Sequence, residues 1–276
     1  MHWTRPRGTA RAIGRAVIAA LLIAGASPAR AQSSPDLAAL IDDLVAANRI
    51  LYHQGVVDGF GHVSVRHPTR PDHFLMSRAL APGRVTRDDI IEFDADATPV
   101  NDSRPIYAER FIHSEVYKAR PDVMAVVHSH SPAVIPFSVT QVPLRPVLGP
   151  ASFLAPAVPV FEIRKVAGMT NLLVTDVPRG KALAETLGQH PVALMRGHGN
   201  VVVGPNVRRA VSRAIYTEIN ARLLWQAVTL GGPIEYIAPE EAALMESGRD
   251  AAGEGHGPNR TWDMWKEEAL RRVQER

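Results

Sequence analysis

Cysteine is absent from all 276 residues. Its absence excludes disulfides, thiolate metal ligands, a cysteine nucleophile and acylation at a leader cysteine. It is also compatible with an oxidising compartment, where a free thiol is a liability. Clustered Lys and Arg are missing too. The formal charge is +3, but with Arg5, Arg7, Arg11, Arg15 and Arg30 set aside, 26 basic residues stand against 28 acidic ones. No basic face of the kind nucleic acid requires emerges, so a nucleic-acid partner is not expected.

Acids are missing from residues 1–31, which carry those five arginines. Residues 16–26 are apolar or small throughout, and Ala29-Arg30-Ala31 has the small-x-small form that signal peptidase cleaves. An apolar run of 11 residues falls short of the roughly 20 that span a bilayer. The expectation is a signal peptide cleaved near Ala31, a periplasmic or secreted mature protein, and no membrane association after cleavage. The leader has no Arg-Arg pair.

What remains is ordinary globular material, 46% hydrophobic and 21% charged, enough for one sizeable core. No repeat or low-complexity tract appears. Ser34-Pro35 predicts a helix start, with apolar spacing from Leu37 to Leu51 and Gly55 placed to end it. Strands are predicted over 62–66, 73–77, 90–93, 123–130, 172–175 and 192–196, and helices over 107–119 and 206–230. The 206–230 helix has apolar spacing at Ile215, Ile219, Leu223 and Ala227. Five prolines in residues 143–159 predict an extended surface connection. Residues 247–259 read as a Gly-rich link before a last helix with Trp262, Trp265, Ala269 and Val273 on one face. Without a clean βαβ alternation, a sheet with antiparallel parts and helices on both faces is expected.

The chemistry concentrates at His128-Ser129-His130, which ends the strongest strand signal. Residues two apart on a strand point to one side, so both imidazoles can meet a single ion. His198, between Gly197 and Gly199, follows another apolar strand and supplies a third nitrogen, a number typical of catalytic metal sites. The companions of other H-x-H metal folds are missing. Ser131-Pro132-Ala133-Val134 lacks the Asp and His of a lactamase-type hydrolase, and no glutamate of the cupin kind precedes Glu162.

Glu109-Arg110-Phe111-Ile112-His113, Arg120-Pro121-Asp122, the strand ending in His128-Ser129-His130, and Gly197-His198-Gly199 together resemble the class II aldolase/adducin family, over about residues 37–230. The resemblance implies a three-layer α/β/α sandwich with a mixed, largely antiparallel central sheet, generally a homotetramer with sites near subunit interfaces. It implies one divalent metal per subunit, usually Zn2+ with Mn2+ as the alternative, held by His128, His130 and His198. Glu109 is then the proton-transfer residue. The expected divisions are a leader over 1–31, a catalytic domain over 32–246, and a link with a C-terminal helix over 247–276.

Departures from the family narrow the substrate. Where sugar-phosphate members place a Gly-Asn-x-Ser segment, a Thr/Ser/Gly loop and a Ser-Ser pair, this chain has Gly61-His62-Val63-Ser64, residues 76–82 with Arg78, and Tyr107-Ala108. A phosphate cradle is gone. His62, Ser64 and Arg78 are the candidate substrate-binding residues; Arg78 is either a carboxylate grip or a solvated loop charge. The motifs are most similar to the branch that decarboxylates hydroxylated pyridine and benzene dicarboxylates. The function expected is therefore divalent-metal-dependent decarboxylation of a hydroxylated aromatic or related non-phosphorylated carboxylate. Aldol cleavage of an unphosphorylated substrate, or a non-catalytic adducin-like assembly role, stands as the alternative. Tyr216 is a further candidate acid. His113 reads as a structural contact, and His53, His67, His73, His190 and His256 as surface or loop histidines.

Overall fold

The computed structural model describes residues 1–4, 36–251 and 258–274. Most of the expected leader, the Ser34-Pro35 start and His256 lie outside these residues. Met1–Ser33 and Ser34–Arg276 are separate units, and residues 1–4 of the first form no helix or strand.

The second unit begins with α1 (Leu37–His53), capped by the Asp36 carboxylate, which accepts from Ala38 N–H at 3.3 Å. An antiparallel meander follows: β1 (His62–Arg66), β2 (Phe74–Ser77) and β3 (Ile90–Phe93). A 3-10 turn (Ala108–Arg110) leads into α2 (Phe111–Ala119), β4 (Ala125–Ser129) and the short α3 (Ile135–Ser138). Then come β5 (Val160–Phe161), α4 (Arg164–Ala167), α5 (Val177–Leu187), β6 (Val192–Met195) and β7 (Gly199–Gly204). The long α6 (Val207–Leu230), α7 (Pro239–Ala251) and α8 (Pro258–Gln274) complete the described chain.

The seven strands form one sheet in the order β3-β2-β1-β4-β7-β6-β5. Every neighbouring pair is antiparallel except β5 with β6. Alternation along the strands feeds two cores. Val63, Val65, Ala125 and Val127 pack beneath α1, α6 and α8, whereas Phe74, Met76, Val126, Val201 and Val203 pack beneath α2 and α5. With both faces covered, β1, β2, β4, β6 and β7 are buried along their whole length. The expected three-layer sandwich is the fold observed.

Several expectations are corrected. Residues 172–175 form no strand; Leu172 takes φ +69°, which breaks an extended run, and the segment spends its amides on side chains. The proline-rich connection is not a surface element. Leu144, Ala151, Phe153, Leu154 and Val158 are buried, and a 3-10 helix (Gly149–Leu154) lies within it. Prolines bring no N–H groups to satisfy, and the Asn220 side chain meets one of the remaining N–H groups and one carbonyl, accepting from Val147 N–H and donating to Arg145 O, both at 2.9 Å. On α6 the buried stripe runs through Ala210, Ala214, Ile215, Ala221 and Leu224, leaving Ile219 and Leu223 facing outward. The expected link from residue 247 is helical to Ala251. Trp262, Trp265 and Ala269 do share a face, buried against α1 and α6.

Candidate metal centre

Strand register assembles the centre. His62 opens β1 directly opposite His128 near the end of β4, and His128 lies opposite Val201 of β7 on its other side. His130 follows two residues after His128, on the side that carries α2. His198 occupies the turn between β6 and β7, where Gly197 takes φ +64°. The next residue must be glycine: a Cβ at Gly199 would sit 2.0 Å from the Ser129 carbonyl oxygen. Glu109 sits in the 3-10 turn before α2, at φ −89° and ψ +20°.

The four side chains converge. Glu109, His128, His130 and His198 each offer a ligand atom, all within 4.8 Å of one another. Glu109 Oε2 lies 3.6 Å from His128 Nε2 and 3.5 Å from His198 Nε2. The Nε2 atoms of His198 and His130 are 3.0 Å apart.

Hydrogen bonds behind the rings fix which nitrogen faces inward. His128 Nδ1–H donates to Asn200 O at 3.1 Å, and His198 Nδ1–H donates to Leu172 O at 3.1 Å. A carbonyl only accepts, so the proton of each neutral ring stays on Nδ1 and the Nε2 lone pair turns to the cluster. Outer-shell bonds of this kind are the usual means of orienting metal-ligating histidines. His128 Nε2 is buried and has no hydrogen-bond partner. An orphaned buried lone pair is costly unless something binds it, and three imidazole nitrogens beside a carboxylate form a donor set suited to a zinc-type divalent ion. The residues present fit such an ion.

Burial keeps the His128 and His62 rings neutral. It pushes His128 down to about 3, only partly opposed by Glu109. It also pushes His62 well below the ordinary value, with the neighbouring imidazoles adding to the effect. Burial favours the neutral acid of Glu109, but the His198 and His128 rings and the Val174 N–H together hold its carboxyl at about 2.

The remaining expected residues are placed differently. The His62 ring lies 5.0 Å from that of His128 and 4.6 Å from that of Tyr107, centroid to centroid. Ser64, expected to bind substrate, is fully buried: its Oγ lies 2.6 Å from His113 Nδ1 and 2.8 Å from Tyr117 OH. His113 Nε2 in turn is 2.6 Å from His62 Nδ1, so Ser64 acts from behind and steadies His62 through His113. Arg78 is neither a free loop charge nor an uncommitted grip, because its Nε donates to Asp89 Oδ1 at 2.7 Å while the side chain stays about a third exposed (32%). Tyr216, the candidate acid, packs its ring against Trp265 at 6.2 Å and belongs to the core beneath α6. His67 lies in the loop after β1, as expected, but is buried rather than at the surface, and its Nδ1 accepts from Thr69 and Arg70 N–H. The sequence reading gave no role to Tyr107, whose hydroxyl donates to Leu80 O beside His62, and missed the main-chain atoms of Leu172, Val174 and Asn200 that orient the donors.

A largely antiparallel sheet covered on both faces, with two histidines from the end of β4, a third from the β6–β7 turn and a carboxylate from the turn before α2, has the donor set of a catalytic metal centre. Residues 42–225 match the model of the Class II Aldolase and Adducin N-terminal domain, and the chain belongs to that family. Decarboxylase tropJ from Talaromyces stipitatus is 42% identical over 200 residues, covering 67% of this chain and 75% of that protein. A 3,4-dihydroxyphthalate decarboxylase from Arthrobacter keyseri is 29% identical over 220 residues, covering 73% and 84%. Among solved structures, an aldolase II superfamily protein from Pseudomonas syringae superposes with a TM-score of 0.72 at 26% identity, covering 87% of this chain and 95% of that one. The resemblance read from the motifs therefore holds for the family and for its decarboxylase branch.

Proposed function

We propose that this chain is a divalent-metal-dependent carbon–carbon lyase that removes the carboxyl group of a hydroxylated aromatic acid as carbon dioxide. The observation that carries the reading is the convergence of His128, His130, His198 and Glu109, in a family whose relatives include named decarboxylases. His128, His130 and His198 would hold the ion through Nε2. Bound there, a divalent ion supplies positive charge that stabilises the electrons left behind as the C–C bond breaks.

The chain's own groups do the rest. Glu109 Oε1 is tied down by the Val174 N–H, so Oε2 is the atom free to exchange protons. It takes the substrate's hydroxyl proton, carbon dioxide leaves, and the same proton is returned to the ring carbon. The product is then a phenolate, which solvent protonates. His62, steadied by His113, faces the centre as a polar wall, and Arg78, whose Nε is already held by Asp89, has only its terminal nitrogens to offer a substrate carboxylate. The loss of the family's phosphate-gripping segments supports an unphosphorylated substrate.

Zn2+ is the proposed ion, because three imidazole nitrogens with an open position suit it; Mn2+ is the alternative. Outward-facing Ile219, Leu223, Trp225, Val228 and Leu230 on α6 support a homo-oligomer, proposed as a tetramer. The arginine-bearing, acid-free leader supports export and cleavage near Ala31. A reporter fused after Gln32 should appear processed in the periplasm, and retention of the uncleaved precursor in the cytoplasm would refute export.

The decisive experiment is metal analysis of the purified protein followed by carbon dioxide release on a panel of hydroxylated aromatic mono- and dicarboxylates. Release from at least one member, abolished by chelation and restored by metal, is the expected result. Aldehyde release from an unphosphorylated aldol, with no carbon dioxide from the panel, would replace the reading with aldol cleavage. No turnover by folded, metal-loaded protein would favour an assembly role.

A further inference from the structure

We infer that Phe60 selects for an aromatic ring at this centre by offering its own ring as a packing surface on the open side; the inference rests on the decarboxylase reading above. Burial is graded across the four donors. His128 is fully buried and the side chains of Glu109 and His198 are nearly so, at 10% and 8% exposed, while His130 is partly exposed. A ligand therefore reaches the centre from the His130 side.

Phe60 stands on that side. Its ring centroid is 6.1 Å from that of His130, with the planes inclined at 35°, and the residue is 68% exposed. A second apolar side chain lies near His198: Val139, 57% exposed, has Cγ1 3.7 Å from where a Cβ on Gly197 would be. Two exposed apolar groups beside two metal-facing histidines form a rim to which a flat ring can pack, whereas an acyclic sugar phosphate has no such face to offer.

The position of Phe60 is built into the turn. Asp58 Oδ1 accepts from Phe60 N–H at 2.8 Å. On the other side Gly61 takes φ +93°, and a Cβ there would meet Val57 Cγ1 at 2.7 Å and the His128 carbonyl oxygen at 3.0 Å. The backbone after Phe60 is thus pressed against the strand that carries the metal ligands. Offset or edge-to-face packing of aromatic rings is the interaction available to Phe60 there.

The test compares two probes on the metal-loaded full chain by calorimetry. Catechol carries two adjacent oxygens on a ring, and oxalate presents two oxygens without one. Phe60→Ala should weaken catechol binding about three- to tenfold while leaving oxalate binding and metal content unchanged. Phe60→Tyr should restore catechol binding. Equal loss for both probes, or no loss for catechol, would overturn the inference. So would a fall in oligomer mass on Phe60→Ala, which would assign the ring to a contact with a second copy of the chain. Failure of the decarboxylase reading looks different: catechol preference persists while no carbon dioxide is released.

Discussion

Val174 N–H donates to Glu109 Oε1 at 2.9 Å, joining the loop before α5 to the turn before α2 across 65 residues. The bond leaves Oε2 alone to face His128 and His198. Glu109→Gln keeps shape and size but removes the proton-exchanging oxygen. Turnover should fall by about 10² to 10⁴, the range typical of lost acid–base catalysis, while metal content stays near that of the parent. Steady-state kinetics paired with elemental analysis checks this; full activity in the variant would remove Glu109 from the proton path.

His128→Ala, His130→Ala and His198→Ala should each lose the ion with the fold retained. Chelation of the parent should lower its melting temperature, since an ion bound only to the native chain stabilises it by mass action. The three variants, lacking the ion already, should melt at the same temperature with or without chelator. A chelator-sensitive melt in all three would place the ion elsewhere.

Ser64→Ala should act on stability and on His62 together. It strips one partner from His113 Nδ1 and from Tyr117 OH, both buried, at a cost of about 1–3 kcal/mol in urea unfolding. Metal content should not change. A variant as stable as the parent would mean that water replaces the hydroxyl.

Gly199→Ala tests the close approach beside His198. With a Cβ 2.0 Å from Ser129 O, β4 and β7 must separate or the turn must move. We expect a loss of about 2–4 kcal/mol and weaker metal binding, measured by thermal melts and metal titration. Gly197→Ala, where the nearest side-chain atom is 3.7 Å away, should cost less and arise only from its positive φ. Equal effects at the two positions would contradict the steric account.

The centre was legible where side chains alone make it. His128 and His130 show in the sequence because a strand's period of two puts them on one side, and His198 because glycines flank it. The groups that aim them were not legible, since Asn200 O, Leu172 O and Val174 N–H are main-chain atoms with no residue signature. Ser64 was misread because its hydroxyl type suits a ligand site as well as the buried bond it makes to His113. In the fold, α5 and α7 went unread although Asp176 caps one and Pro239 opens the other. Their apolar faces are narrow. The α6 stripe was misplaced because alanines, not the larger Ile219 and Leu223, form its buried side.

The strand register described above also sets an order of events. Only His128 and His130 are neighbours in the unfolded chain; Glu109 and His198 come from segments on either side that must first be brought together. A slip of one residue between β1 and β4 would turn His128 to the opposite face, away from Glu109. Tight capture of the ion therefore follows correct pairing of β4 with its neighbours, and metal uptake reports that the sheet has closed in register.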